Sequence, residues 1–156
     1  MATLIMICGL PGAGKTTLAR QLERTRPALR LSPDEWIAGL LADPNDIAER
    51  DRLRSPVEAI QWEVAVRALQ LGVDVILEWG FWSRQERAWY RSQAEALGAR
   101  VELRYLEVGR DELWARLARR NADLPPGTVA VSEQELDLWW SWFEPPTADE
   151  LEGAGG

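Results

Sequence analysis

The sequence predicts an α/β fold, a parallel sheet of about four to five strands with helices on both faces. Three observations predict it. Short, nearly unbroken apolar runs at 3–8, 28–32, 73–78 and 100–108 read as buried strands. Each run is followed by a stretch with helical spacing, so strands and helices alternate along the chain. No repeat or linker interrupts the alternation, and 156 residues suit one domain.

The elements follow in order. TLIMIC (3–8) is a strand bounded by Gly9. After a glycine-rich loop, KTTLARQLERT carries Leu18 and Leu22 at i, i+4, the mark of a helix face. ALRLS (28–32) is a short strand, and SPDEWIAGLLA opens a second helix. The segment 43–54, DPNDIAERDRLR, is polar and charged and reads as a loop or mobile stretch. Residues 55–72 form a long helix stopped by Gly72, and VDVILE (73–78) a third strand. A helix at 83–98, a strand at 100–108 and a helix at 110–121 follow. A loop, NADLPPGTVAV, leads to the last helix, 132–143, whose Leu136, Trp139, Trp140, Trp142 and Phe143 give an apolar face. The signature S-x-x-E stands at Ser32/Glu35, Ser55/Glu58, Ser83/Glu86 and Ser132/Glu135, as a helix cap would. The domain is expected to span 1–150, with 151–156 a disordered tail.

Composition narrows the function. Apolar residues make up 46% and charged residues 28%, a globular balance. The net charge of −7 weighs against a nucleic-acid partner, although a basic cleft can sit on an acidic body. The single cysteine, Cys8, has no internal disulfide partner. MATLIMIC lacks the length and basic flank of a signal peptide, and no apolar run approaches the ~20 residues of a membrane helix. A cytoplasmic protein without a membrane partner is expected; oligomeric state is not legible. Of the 18 basic residues only Lys15 is lysine.

That lysine lies in Gly9-Leu10-Pro11-Gly12-Ala13-Gly14-Lys15-Thr16, a full match to G-x-x-x-x-G-K-[ST] between a strand and a helix. Glycines let backbone N–H groups turn inward on phosphates without Cβ clashes, and the helix that follows adds its positive end. Gly9, Pro11, Gly12, Ala13, Gly14, Lys15, Thr16 and Thr17 therefore form the candidate nucleotide site. In it Lys15 reaches the β- and γ-phosphates, Thr16 ligates Mg²⁺ and Thr17 lies near the α-phosphate. The cofactors implied are ATP and Mg²⁺.

Ser32-Pro33-Asp34-Glu35 lies at the carboxyl end of the second strand, the ligand edge of a doubly wound sheet. A kinase acting on a hydroxyl needs a carboxylate there to orient it and take its proton. Ser32 as N-cap, Pro33 at N1 and Glu35 at N3 explain the same stretch as a helix start, and the residues alone favour neither reading. Glu78 closes the third strand where Asp is usual. It has three open roles: a water-mediated Mg²⁺ contact, a substrate contact, or a cap partner. Arg84 and Arg87 fall in the first turn of the next helix, against its dipole, which marks them as candidates for binding an anion, a substrate group or the γ-phosphate; a solvated pair offset by Glu86 is the other reading. Phe81 and Trp82 beside them either floor a substrate pocket or fill core.

The wording GLPGAGKTTLA resembles the P-loop of the P-loop NTPases, and of P-loop kinases rather than signalling GTPases, with no NKxD-like guanine-reading segment. A strand, a P-loop, a short second strand and an Asp opening a helix resemble the small bacterial kinases, AAA-type ATP-binding proteins that include polynucleotide 5′-kinase domains, zeta toxins and chloramphenicol phosphotransferase. The resemblance implies that Asp34, the matching position, is the general base. It also gives Arg116 and Arg120, at i, i+4 in LWARLARRN, the place of lid arginines over the ATP phosphates, with NADLPPGTVAV a flap near adenine; a plain helix C-terminal charge is the other reading of these arginines. The expected function is transfer of the ATP γ-phosphate to a hydroxyl of a small-molecule acceptor. The alternatives are a polynucleotide 5′-hydroxyl kinase and a nucleotide-binding regulatory module with slow hydrolysis.

Overall fold

A computed structural model describes residues 1–125 and 128–153. It has four parallel strands, β1 (Thr3–Cys8), β2 (Ala28–Leu31), β3 (Asp74–Gly80) and β4 (Arg100–Tyr105), in the order β2-β3-β1-β4. Seven helices accompany them: α1 (Lys15–Thr25), α2 (Pro33–Leu40), α3 (Ile47–Gln70), α4 (Arg84–Ala96), α5 (Arg110–Ala122), α6 (Glu133–Trp142) and α7 (Ala148–Gly153).

Strand alternation decides which helix covers which face. Leu4, Met6 and Cys8 of β1 and Val75, Leu77 and Trp79 of β3 pack with Ala65, Ala68 and Leu69 of α3 and Ala94 of α4. Ile5, Ile7 and Ile76 point the other way, onto Ala19 and Leu22 of α1. Glu78 has the parity of Ile76, so it also faces α1. A third apolar group joins Leu10 and Ala13 of the glycine loop to Leu113 and Leu117 of α5 and Leu136 of α6. Among the described residues no helix is long and apolar enough to cross a membrane.

The strands and most helices stand where the sequence places them. The main departure is α3. Asp46 caps it by accepting from the Glu49 N–H at 3.0 Å, so the helix begins at Ile47 and the expected loop at 43–54 is mostly its first two turns. Ser55 and Pro56 lie inside the helix, and Ser55 caps nothing. Ion pairs Arg52–Glu49 and Arg54–Glu58 run along this charged half. A proline there removes one backbone donor, and its ring is turned to the exposed side.

Other boundaries shift less. β3 continues through Trp79 and Gly80, and β4 ends at Tyr105. On α6, Leu136 is buried and Trp139 is packed, but Trp140 and Trp142 are 43% and 58% exposed and do not belong to a core face. Leu151 to Gly153, expected in the tail, are helical in α7; Ala154 to Gly156 lie outside the described residues.

Candidate functional site

The loop between β1 and α1 takes a shape that only glycine adopts cheaply. Gly12 and Gly14 have φ of 90° and 100°, and a Cβ on Gly12 would stand 3.1 Å from Leu117 of α5. The loop is tied by the Ala13 N–H to Leu10 O at 3.1 Å, and Gly9 N–H donates to Gly80 O at 3.0 Å. Lys15 folds back to donate to Gly9 O at 3.0 Å. Burial lowers its pKa to about 8, with the carboxylates of Asp34 and Glu78 pulling the other way. Glycine nitrogens, a buried ammonium and a helix N-terminus together make a receptor for phosphate groups.

These residues open into a cavity of about 710 Å³. Pro11, Gly12, Gly14, Lys15, Thr16 and Thr17 line it, while Gly9 and Ala13 sit beneath and hold the loop. Facing them are Asp34 from α2, Glu78 from β3 and Arg120 from α5. Thr16 Oγ1 donates to Glu78 Oε1 at 2.9 Å, and Arg30 donates to Glu78 Oε2 at 3.2 Å. Hydroxyl and carboxylate oxygen are hard donors of the kind Mg²⁺ takes, so the pair fits that ion, and of the three sequence roles for Glu78 the metal-side one has the neighbour it needs. No group of three or more carboxylate, His or Cys ligands that could hold a metal occurs among the described residues.

Asp34 is 70% exposed at the side chain and its Oδ1 accepts from Arg54 Nη1 at 3.2 Å. Ser32 Oγ caps α2 by accepting from the Glu35 N–H at 3.3 Å. Glu35 does not return the bond; its carboxylate takes Arg30 at 2.9 and 3.1 Å. The cap is therefore complete without Asp34, whose carboxylate is left facing the cavity.

Of Arg116 and Arg120, the two α5 arginines expected over the phosphates, only Arg120 lines the cavity. Its Nε is buried without a hydrogen-bond partner, and burial lowers its pKa, with Asp34 opposing. Arg116 instead pairs with Glu112 at 3.1 Å and reaches Gly12 O and Ala13 O at 3.4 Å, backing the loop from outside. Arg119 lies along its own helix, on Ala115 O at 3.4 Å. Thr128, Val129 and Val131 of the expected flap line the cavity; Pro126 and Gly127 of that stretch lie outside the described residues.

Arg84 and Arg87 do not reach the cavity. Arg87 is buried and donates to Glu150 at 2.9 and 3.3 Å and to Phe81 O at 2.7 Å. Arg84 donates to Thr147 Oγ1 at 2.6 Å and Asp149 Oδ2 at 2.8 Å. The anion that offsets two cations in a helix first turn is thus the chain's own α7, and the substrate-binding expectation for them is corrected. The tether acts on a strained residue: Phe81 has φ 49°, an unfavourable region for a side chain of its size. Phe81 and Trp82 both line the cavity, and Phe81 also belongs to the core.

The sequence reading missed the α3 wall. Arg50, Asp51, Arg54 and Glu58 line the cavity, joined by Glu86 of α4. Their spacing of three to four residues was visible, but the signal is lost once 43–54 is read as a loop.

Comparison with known proteins agrees with this architecture. The AAA domain family, AAA_33, matches residues 4–146. No curated protein matches the chain. Among solved structures, a protein of Chloroflexus aurantiacus j-10-fl provisionally described as a kinase superposes with a TM-score of 0.74 at 23% identity, covering 93% of this chain and 78% of that one. A gluconokinase from Sinorhizobium meliloti 1021 gives 0.58 at 17%, covering 98% and 88%. A chain of the Pnkp1/Rnl/Hen1 RNA repair complex gives 0.65 at 18%, covering 99% of this chain but 45% of its own length. At such identities the likeness is one of fold. The chain belongs to the AAA domain family and has the fold of P-loop kinases.

Proposed function

We propose that the protein is a Mg²⁺-ATP-dependent kinase that transfers the γ-phosphate to a hydroxyl of a small-molecule acceptor, with Asp34 as general base. The observation that carries the reading is the sharing of one cavity by the phosphate cradle, Arg120 with its buried Nε, and a carboxylate that helix capping does not use. A nucleotide-dependent switch needs the cradle but has no use for Asp34 at the same cavity.

Lys15 and the loop N–H groups bind the phosphates, and Thr16 with Glu78 would hold the metal. Mg²⁺ held there would supply neutralisation of the phosphate charge. Arg120 adds a cation where charge builds during transfer, in a setting that excludes water from its Nε. Asp34 orients the acceptor hydroxyl and takes its proton as the new O–P bond forms and the bond from Pγ to the β-phosphate oxygen breaks. Arg54 holds the Asp34 carboxylate in place.

The test is ADP formation from ATP with a panel of sugars, nucleosides, antibiotics and oligonucleotides, run with and without each acceptor. Acceptor-dependent ADP formation, with phosphate recovered on the acceptor, supports the reading. Slow hydrolysis indifferent to every acceptor overturns it in favour of the regulatory module.

A further inference from the structure

Charge is unevenly spread along the cavity. At the phosphate end Lys15 and Arg120 are cationic, and Glu78 is engaged by Thr16 and Arg30. At the other end, where α2, α3 and the start of α4 meet, Asp34, Asp51, Glu58 and Glu86 stand against Arg50 and Arg54. Four carboxylates against two guanidiniums leave that end acidic. Arg54 is already committed, to Asp34 at 3.2 Å, to Glu58 at 2.9 Å and to Trp79 O at 3.3 Å.

Glu86 stands apart from the other N3 glutamates. Glu35 is held by Arg30, and Glu135 by its own cap residue. The Glu86 N–H is satisfied by Ser83 Oγ at 3.0 Å, yet no hydrogen bond or ion pair engages its carboxylate among the described residues. The side chain is half-buried; burial raises its pKa and the neighbouring Glu58 adds to the rise, with Arg54 and Arg87 opposing. A half-buried carboxylate with an acidic neighbour, reached by Arg54 and Arg87 only at a distance and by no direct ion pair among the described residues, has room for a contact that an incoming ligand can supply. Phe81, Trp82 and Trp139 line the same cavity, and the Trp82 and Trp139 rings lie 6.1 Å apart. A cavity that holds both aromatic side chains and such a carboxylate favours an organic ammonium over a hydrated anion.

We infer that the acceptor is an amine-bearing hydroxyl compound, its ammonium read by Glu86 and its hydroxyl presented to Asp34. This rests on the kinase reading. The acceptor oxygen forms the bond to Pγ, the bond from Pγ to the β-phosphate oxygen breaks, ADP leaves with that electron pair, and the hydroxyl proton passes to Asp34. Anionic acceptors, such as aldonates or a nucleic-acid 5′ end, meet like charge at the same place.

The experiment uses charge-matched probes with the full chain: glucosamine, ethanolamine and serinol as amines, glucose and glycerol as neutral parents, gluconate and glycerate as anions. Binding is read from the tryptophan indole resonances in the presence of Mg²⁺ and a non-hydrolysable ATP analogue, and turnover from ADP formation with ATP. The amines are expected to bind at least 10-fold more tightly than their neutral parents. Glu86→Gln should remove that advantage while leaving the neutral probes unchanged, and Ser83→Ala controls for damage to the start of α4. Tighter binding of anions, equal binding of all classes, or no saturable binding of any amine overturns the inference. Asp34-dependent turnover of an anionic acceptor overturns it and leaves the kinase reading standing. Amine binding at Glu86 without turnover of any acceptor overturns the kinase reading, and with it the amine's role as acceptor, and leaves only an ammonium-binding site.

Discussion

The guanidinium of Arg87 and the carboxylate of Glu150 meet side by side, Nε to Oε1 at 2.9 Å and Nη2 to Oε2 at 3.3 Å, 63 residues apart in sequence. Arg87 is 2% exposed and Glu150 10% at the side chain. Breaking such a pair leaves a buried charge without its partner, which costs about 3–5 kcal/mol. Glu150→Ala is therefore expected to lower stability by about that amount in urea denaturation, far more than Asp149→Ala, whose partner Arg84 is half exposed. Pairing Glu150→Leu with Arg87→Met should recover most of the loss. A cost under about 1 kcal/mol for Glu150→Ala would mean that α7 does not hold Arg87.

Arg120→Ala is expected to lower kcat more than it weakens ATP binding. Charge accumulates on the γ-phosphoryl group during transfer, and Arg120 brings a buried, unpartnered Nε to that cavity. Arg116→Ala should act differently, because Arg116 supports Gly12 O and Ala13 O from outside the cavity. It should weaken nucleotide binding with kcat nearly unchanged. Isothermal titration and initial rates on both variants separate the roles; equal losses in kcat and binding for Arg120→Ala would reduce it to a binding residue.

Much of this arrangement was legible in the sequence, and the part that was not has a physical cause. The β1–loop–α1 unit is written in adjacent residues, because the cradle depends on local backbone shape. Asp34 was singled out only through the family resemblance, because its own stretch reads equally well as a helix start; the structure adds that the Ser32 cap forms without it and that it lines the cavity. Arg84 and Arg87 were misread because their anions lie in α7, more than 60 residues away, and a dipole argument sees only the local helix. The start of α3 was misread because Ser55, Pro56 and Glu58 imitate a cap, while the true cap, Asp46, is one acid among several. The α3 wall of the cavity went with it.

The pKa of Lys15 sets two opposed pH effects. In the fold it is lowered to about 8 from 10.5, so the buried ammonium destabilises the nucleotide-free protein most below pH 8. As pH rises through 8 toward 10.5, the folded chain sheds this proton before the unfolded chain does, and the penalty is relieved. Lys15→Met should therefore stabilise the nucleotide-free protein by up to about 3 kcal/mol at pH 7, less whatever water in the cavity screens. The gain over wild type should shrink between pH 8 and 10.5. Nucleotide affinity of the wild type runs the other way and falls above pH 8, while Lys15→Met binds nucleotide poorly at any pH. Thermal melts of the two proteins from pH 6.5 to 10 check the first claim, and no change in the difference between them would refute it.

Cys8 is fully buried in β1, and its thiol donates to Phe81 O at 3.3 Å. Burial pushes its pKa up to about 12, against the opposing charges of Arg87 and Lys15. Thiolate is the reactive form, so the native protein should resist thiol reagents at pH 8 and react only through unfolding. The labelling rate should then rise with urea in step with the unfolded fraction. Rapid labelling without denaturant would show that β1 opens locally.

The last expectation concerns Asp34, where capping and chemistry share a helix start. Asp34→Asn keeps the shape of the side chain and removes its charge. Folding should survive, because Ser32 Oγ already caps α2 and is 3% exposed as a residue, while Asp34 itself is exposed. Nucleotide affinity should hold, because the cradle supplies it. Transfer to the acceptor should fall by about 10²–10⁴-fold, the usual worth of a general base. Arg54 sharpens the comparison: Arg54→Met frees the carboxylate without removing it, and should reduce transfer less than Asp34→Asn does. Ser32→Ala is the converse control, expected to cost about 1 kcal/mol of stability and to spare transfer per folded molecule. If Asp34→Asn instead lowers the melting temperature and leaves transfer per folded molecule intact, the carboxylate belongs to the helix start. The kinase proposal then loses its base, and a nucleotide-dependent switch becomes the better account of the cradle.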